Sequence, residues 1–259
     1  MKNIKVEISE GIATITLDRP PVNAIDNEAM LEMTEVFNSF ADNREVRVAI
    51  FTAAGDKAFM AGVDLNTLGK SEGDEPDLSS VTDSGLISRN AMWAITDCAV
   101  PVIGAINGPA IGAGLAFAAC CDIIVAAENA KFGATEINVG LLGASAHVSL
   151  LVGRHKAREM FFTGEFVSAH ELQRIGAVRE VVPRAELMDT ARKLATTLAA
   201  KSPLALRLAK ASMNHVEDLP LKEAYRIEQT YTHRLLAFED SQEARAAFFE
   251  KREPNWKLK

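Results

Sequence analysis

The sequence contains few cysteines and no long hydrophobic run, and both absences narrow the classes of protein it can encode. Its three cysteines are Cys98 and the adjacent pair Cys120 and Cys121. This odd number and spacing fit neither a disulfide framework nor a zinc site, so we expect no metal and a reducing, cytoplasmic environment. No apolar run approaches the roughly 20 residues that span a bilayer, and the first seven residues lack the apolar stretch of a signal peptide. We therefore expect neither membrane insertion nor export.

An excess of basic residues is also lacking. The 28 lysines and arginines stand against 35 aspartates and glutamates, which gives a formal net charge of −7. This acidic balance offers no broad electrostatic footprint for nucleic acid, so we expect no nucleic-acid partner. Charged residues make up 24% of the 259 residues and hydrophobic residues 48%, which is ordinary for a folded chain and excludes global disorder.

Strand and helix patterns alternate along the first part of the chain, which predicts an α/β fold. Residues 4–8 alternate in polarity and residues 12–17 are rich in β-branched side chains, so together they predict a hairpin. Asp26 is a candidate N-cap for a helix that runs through Phe40. Further strands are predicted at residues 46–52, 101–106 and 123–126.

The strand signal ends near residue 186. Helices are predicted at 187–200, 203–214 and 221–249, and Ser202 before Pro203 is a typical helix start. We therefore expect a core of residues 1–185 and a helical C-terminal region of residues 186–259, which packs on the core or on another subunit. Between Gly69 and Ser84 the sequence is acidic and rich in loop-forming residues, which fits either a solvated surface loop or a lid over a substrate.

Three segments suggest chemistry. The first, residues 57–65, contains Gly62 and Val63 among small residues that let the backbone approach a ligand closely, so that exposed N–H groups can bind an oxygen. The same pattern also occurs in ordinary strand-to-helix turns. Taken alone, this segment therefore does not establish a binding site.

The second segment, residues 102–116, passes from a strand through a glycine-rich turn into a predicted helix that has Ala113 at its start. Unpaired N–H groups at a helix start suit the stabilisation of an oxyanion. The glycines at 108, 112 and 114 do not form the Gly-x-Gly-x-x-Gly pattern of a dinucleotide site, and no Gly-Lys-Ser or Gly-Lys-Thr is present for a phosphate loop.

The third segment, residues 130–143, places Glu136 in an apolar, glycine-rich stretch. Desolvation of a carboxylate raises its pKa and favours a role in proton transfer. The alternative for Glu136 is an ordinary helix cap or surface acid.

Together these segments resemble the crotonase superfamily, the enoyl-CoA hydratase/isomerase family. The resemblance covers nearly the whole chain, and its motifs occur in order. They are Leu17-Asp18-Arg19-Pro20, Asn23-Ala24, Ala61-Gly62-Val63-Asp64, Asn107 to Gly114, Cys121-Asp122-Ile123, Phe132 to Glu136, Thr163-Gly164 and Phe248 to Trp256.

The resemblance implies a spiral of ββα units with a C-terminal helical region, assembled as a homotrimer or a dimer of trimers. It implies an acyl-CoA thioester substrate and no separate cofactor, since coenzyme A enters as part of the substrate. The backbone N–H groups of Val63 and Ala113 would bind the thioester oxygen, and Glu136 would transfer the proton of an enolate-forming reaction.

Other matched positions are expected to bind the substrate. Phe248 and Lys251 match C-terminal positions that can complete the ligand site of a neighbouring subunit. Arg19 and Lys57 fit either phosphate binding or a solvated surface role. The matched positions that line the coenzyme A site are Ala24, Ala61, Gly62, Asp64, Leu65 and Gly112.

The sequence departs from typical hydratases at two places. Ala116 stands where the first of two catalytic glutamates is expected, which disfavours two-glutamate hydration and favours proton shuttling in a 3-enoyl-CoA. The stretch from Leu141 to Gly153 is short and contains His147, which fits either a role in orienting water or substrate or a histidine on a helix face whose hydrogen bonds are satisfied. Two alternatives stay open: a non-catalytic scaffold that binds CoA thioesters, and another crotonase activity such as acyl-CoA hydrolysis.

Overall fold

The computed structural model of the chain describes residues 1–66 and 83–259, so residues 69–82 of the predicted acidic insertion lie outside the described part. Two sheets are present there. The main sheet has the order β1-β2-β3-β4-β6-β9, and all its neighbours are parallel except the antiparallel hairpin β1-β2. The second sheet has the order β5-β7-β8. The strands are β1 Ile4–Ser9, β2 Ile12–Leu17, β3 Val48–Ala53, β4 Val102–Ile106, β5 Ala110–Ile111, β6 Ile123–Ala127, β7 Lys131–Gly133, β8 Phe166–Ser168 and β9 Glu180–Val182.

The described residues also form ten α-helices and two short 3₁₀ helices, at Glu136–Val139 and Arg184–Glu186. Within this part of the chain, no helix has the length and apolar character needed to cross a bilayer. The α-helices are α1 Asn27–Ser39, α2 Leu86–Thr96, α3 Ala113–Ala119, α4 Ser145–Val152, α5 Arg154–Thr163, α6 Ala169–Arg174, α7 Leu187–Ala199, α8 Pro203–Val216, α9 Leu221–Leu236 and α10 Glu239–Glu250.

Local signals in the sequence explain several of these elements. The predicted hairpin is confirmed, with Ile4 opposite Leu17 and Ser9 opposite Ile12. Helix α1 begins where Asp26 predicts, because the Asp26 carboxylate accepts a hydrogen bond of 2.9 Å from the N–H of Ala29. The capping and periodicity signals at these positions are therefore sufficient to place the elements.

The single helix predicted for residues 221–249 is wrong. The helix stops at Leu236, and α10 starts after Phe238, whose backbone is extended (φ −83°, ψ 145°). The break lets the buried Asp240 in the first turn of α10 accept hydrogen bonds from the N–H groups of Lys257 and Leu258. These contacts with the chain terminus stabilise the interruption, and periodicity does not encode them.

The hydrophobic core lies on both faces of the main sheet. All six residues of β3 are buried, as is typical of a central parallel strand. Successive side chains alternate, so Val48 and Ile50 pack with α7 on one face, while Ala49 and Phe51 join the larger cluster on the other. Helix α7 therefore covers the sheet directly, and its fully buried Ala191 and Ala195 permit close packing.

Helix α8 is held to the core by a polar stripe of Arg207, Lys210 and Asn214. Each side chain donates hydrogen bonds to backbone carbonyls at or just beyond the C-terminal end of a core helix. Arg207 bonds to the end of α1, and Lys210 and Asn214 bond to the end of α2. The buried Lys210 ammonium also pairs with Asp122 at 2.7 Å. Cations are favourable at helix C-termini, so these contacts attach α8 to the core.

Candidate active site

Two backbone segments that turn at glycine residues run side by side at the centre of the site. Met60 and Ala110 form a parallel bridge, and the N–H of Ile111 donates to the carbonyl of Met60 at 2.9 Å. Because the segments are parallel, Gly62-Val63 and Gly112-Ala113 follow at equal distances from this bridge. A Cβ on Gly62 would lie 3.3 Å from the carbonyl oxygen of Ile111, so the two turns are in close contact.

Glycine is required at both turns for conformational reasons. Gly62 has φ +97° and Gly112 has φ +55°, which side chains disfavour. The start of α3 also approaches the first segment closely, since a Cβ on Gly114 would lie 2.2 Å from the carbonyl oxygen of Met60. Gly62 and Gly112 therefore allow the two backbone segments to turn immediately before Val63 and Ala113.

The N–H groups of Val63 and Ala113 have no hydrogen-bond acceptor among residues 1–66 and 83–259. The parallel bridge between Ile25 and Val63 uses the carbonyl of Gly62 and the N–H of Asp64, so the Val63 N–H points away from Ile25. Ala113 is the first residue of α3, where no earlier helical carbonyl is available to its N–H. Both groups are therefore available to an external acceptor.

Glu136 lies beside the second turn, at the start of the 3₁₀ helix Glu136–Val139. Its Oε1 atom is 3.3 Å from the position of a Cβ on Gly112 and equally far from that of a Cβ on Gly143. Its Oε2 atom is buried and has no hydrogen-bond partner in the described part of the chain. Burial raises the pKa of Glu136 above its ordinary value. The carboxyl group is thus confined by two glycines and retains an unused oxygen.

Ala116 and His147, where the sequence departs from typical hydratases, lie on helices α3 and α4, which precede and follow Glu136 along the chain. Ala116 is fully buried in the first turn of α3, and its N–H donates to the carbonyl of Gly112 at 3.2 Å. Its methyl group can neither activate water nor carry a proton. His147 is half-buried on α4, and its ring has no hydrogen-bond partner among the described residues. Burial lowers the pKa of His147.

Arg19 is engaged in ion pairs and is not a freely solvated side chain. Its guanidinium group donates to the carboxylates of Asp26 and Asp64 and to the carbonyl of Ala24. Hydrogen bonds from Asn66 and from Arg19 lower the pKa of Asp64. These five residues help to line a surface cavity of about 600 Å³. Asp64 therefore connects the Val63 turn to the Arg19 segment.

The remaining predicted residues occupy several locations. Ala61 donates its N–H to the carbonyl of Val22 at 3.1 Å, while Leu65 and Lys57 are exposed. Phe248 is exposed on α10, and Lys251 ends that helix with φ +54°. Helix α10 packs against α9. The contribution of Phe248 and Lys251 to a neighbouring subunit stays a prediction.

Sequence reasoning missed the contact of Gly143 with Glu136 and the hydrogen bond from the side chain of Asn138 to the carbonyl of Gly164. Gly143 lies inside the third segment, but only the path of the following loop shows that it faces the carboxyl group. No cluster of metal-binding side chains occurs in the described ranges.

The fold resembles that of crystallised enoyl-CoA hydratases. An enoyl-CoA hydratase from Bacillus anthracis superposes with a TM-score of 0.91 and 31% identity, covering 99% of this chain and 100% of that chain. The mixed α/β architecture with its C-terminal helices is therefore the crotonase fold.

Comparisons of the sequence with known proteins point to the same family. The family model for enoyl-CoA hydratase/isomerase matches residues 7–259. A (7aS)-7a-methyl-1,5-dioxo-2,3,5,6,7,7a-hexahydro-1H-indene-carboxyl-CoA hydrolase from Rhodococcus jostii is 38% identical over 95% of this chain and 93% of its own length. A carnitinyl-CoA dehydratase from Salmonella enteritidis is 39% identical over 95% of both chains. The chain belongs to the enoyl-CoA hydratase/isomerase family and is an enzyme of CoA thioesters.

Proposed function

We propose that the enzyme transfers a proton at the α-carbon of an acyl-CoA thioester through an enolate. Glu136 is the proton acceptor and donor, and the N–H groups of Val63 and Ala113 bind the thioester oxygen. The observation that carries this proposal is the buried, unpartnered carboxyl oxygen of Glu136 beside the Gly112-Ala113 turn.

The geometry suits the charge movement of this step. When the α-proton leaves for Glu136, the electron pair of the C–H bond forms a carbon–carbon double bond, and negative charge moves to the thioester oxygen. Two fixed N–H groups stabilise that oxygen most strongly when it is charged, and each such donor is worth about 3–4 kcal/mol in oxyanion sites. Burial raises the pKa of Glu136, which makes its carboxylate a stronger base for the α-proton.

A single acid favours double-bond migration over hydration. Glu136 can remove an α-proton from a 3-enoyl-CoA and return it to the γ-carbon, which yields the 2-enoyl-CoA and regenerates the carboxylate. Addition of water to the alkene in the two-glutamate manner requires a second acid, and Ala116 cannot supply one.

Hydrolysis of an acyl-CoA is the second candidate, favoured by the 38% identity with a protein named as a CoA hydrolase. In that reaction the same pair of N–H groups stabilises an oxyanion formed on attack of water. The candidates differ in their products, since migration conserves the mass of the thioester, whereas hydrolysis consumes one water and splits the thioester into a carboxylic acid and free coenzyme A.

A substrate panel analysed by liquid chromatography with mass spectrometry separates these reactions, because chromatography resolves the double-bond isomers that share one mass. The wild-type enzyme is incubated with 2-enoyl-, 3-enoyl-, 3-hydroxyacyl- and 3-oxoacyl-CoA thioesters, and Glu136→Gln is compared with it. We expect isomerisation of the 3-enoyl substrate that falls at least a hundredfold in Glu136→Gln and is unchanged in Glu128→Gln, a control at an exposed glutamate. Equal turnover by the wild-type enzyme and Glu136→Gln would remove Glu136 from its role, and binding without turnover on every thioester would indicate a scaffold.

A further inference from the structure

The turn that carries Glu136 has little hydrophobic anchorage. No residue of the 3₁₀ helix Glu136–Val139 is buried, and Ile137 and Val139 are 52% and 62% exposed. Its backbone hydrogen bonds are local, such as that from the N–H of Leu141 to the carbonyl of Glu136 at 2.9 Å. Isolated 3₁₀ turns are weakly stable, so the position of the carboxyl group depends on contacts outside the turn.

The chain that leads into this turn, its entrance, is held by the second sheet. Strand β7 pairs with β5 and β8, and the carbonyl of Gly133 accepts a hydrogen bond of 2.8 Å from the N–H of Gly112. This bond ties the chain leading to Glu136 to the turn that presents Ala113. It does not restrain the chain after Glu136.

The exit is anchored by Asn138. Its Nδ2 atom donates to the carbonyl oxygen of Gly164 at 3.1 Å, and this is the one hydrogen bond that joins a side chain of the turn to a distant element in the described part of the chain. Gly164 is buried at the end of α5 with φ +64°. A Cβ on Gly164 would lie 2.6 Å from the amide atoms of Asn138, so only glycine accommodates this contact.

We infer that Asn138 is a positioning residue for Glu136: its hydrogen bond to Gly164 fixes the exit of the turn and keeps the carboxyl group against Gly112. This inference depends on the proposed function of Glu136. Entrance and exit are then held by independent contacts, and loss of the second lets the carboxyl group move away from the substrate and towards water.

Asn138→Ala tests this role, with Val139→Ala as a matched control on the same turn. The assay is exchange of α-protons for deuterium in the thioester that the wild-type enzyme exchanges fastest. We expect kcat to fall about tenfold in Asn138→Ala with KM within twofold and an unchanged melting temperature, whereas Val139→Ala keeps the wild-type rate. The acid limb of the pH profile should move to lower pH, because a better hydrated carboxyl group loses part of its raised pKa.

Gly164→Ala perturbs the same contact from the other side. We expect Gly164→Ala to lower kcat as well. In the double variant Asn138→Ala/Gly164→Ala, kcat should fall by less than the product of the two single effects, because truncation of Asn138 removes its clash with the new Cβ at position 164.

These variants distinguish the positioning role of Asn138 from the catalytic role of Glu136. A wild-type rate and pH profile in Asn138→Ala, while Glu136→Gln is inactive, would overturn the positioning role alone. Full activity of Glu136→Gln would overturn the proposed function. Multiplicative losses in the double variant, or an unshifted acid limb, would also contradict the positioning role.

Discussion

The carboxyl group of Glu136 packs directly against Gly112, the residue that precedes Ala113. Oε1 of Glu136 lies 3.3 Å from the position of a Cβ on Gly112, and the N–H of Gly112 is bonded to the carbonyl of Gly133. The carboxyl group of Glu136 and the N–H of Ala113 are thus held on either side of Gly112. A side chain at position 112 would displace both groups.

Gly143→Ala tests the confinement of the carboxyl group without the strain of a positive φ. Its new Cβ would lie 3.3 Å from Oε1 of Glu136, which is tighter than ordinary packing. We expect kcat to fall about tenfold, since small displacements of a catalytic group are costly, with little change in melting temperature. Steady-state kinetics and thermal melting check this, and an unaltered kcat would show that the carboxyl group tolerates a closer neighbour.

Ala113→Pro removes one proposed oxyanion donor while preserving the helix start. Proline is accepted at the first helical position, which Ala113 occupies in α3. Loss of the N–H should lower kcat by a factor of roughly 100–1,000. Asn27→Pro, at the first position of α1, is the matched control and should retain wild-type activity. Comparable activity in both variants would exclude the Ala113 N–H as a donor.

Glu136 should reduce the stability of the protein at neutral pH. Burial raises its pKa in the folded state, so folding is more favourable when Glu136 is protonated. This contribution to the free energy of unfolding is fully present below the unfolded pKa of about 4.3, and it is lost as the pH rises through the folded pKa. Glu136→Gln is neutral at every pH. We expect it to melt at a higher temperature than the wild-type protein at pH 7, with the difference disappearing below about pH 4. A lower melting temperature for the variant at pH 7 would contradict this account.

The pair of Lys210 and Asp122 should contribute to the attachment of α8. Lys210→Met keeps the length of the side chain but removes the ammonium group that pairs with Asp122, whose carboxylate then retains the N–H of Val102 as a donor. We expect a loss of about 3 kcal/mol in the free energy of unfolding, at the low end for a broken buried pair because Asp122 is partly exposed. Urea denaturation measures it, with the exposed Lys222→Met as control. A loss no larger than that of the control would mean that the pair is dispensable.

Local patterns sufficed for much of the fold. The Asp26 cap, the alternation in the hairpin and the proline after Ser202 act over a few residues, so they can be recognised before the fold is known. The surroundings of Glu136 were also foreseeable as apolar and glycine-rich. The contacts of Asn138 and Gly143 were not, because they depend on how segments distant in sequence come together. The pairing of Arg19 with Asp64 is hidden for the same reason.

Exchange of α-protons for solvent deuterium reports enolate formation whatever the final product, so it measures the proton transfer assigned to Glu136 without knowledge of the natural substrate. The wild-type enzyme and Glu136→Gln are incubated with a series of acyl-CoA thioesters in D₂O, and deuterium at the α-carbon is followed by mass spectrometry. We expect exchange by the wild-type enzyme and a rate at least a hundredfold lower in Glu136→Gln. Equal exchange rates in the two proteins would exclude Glu136 as the base that forms the enolate.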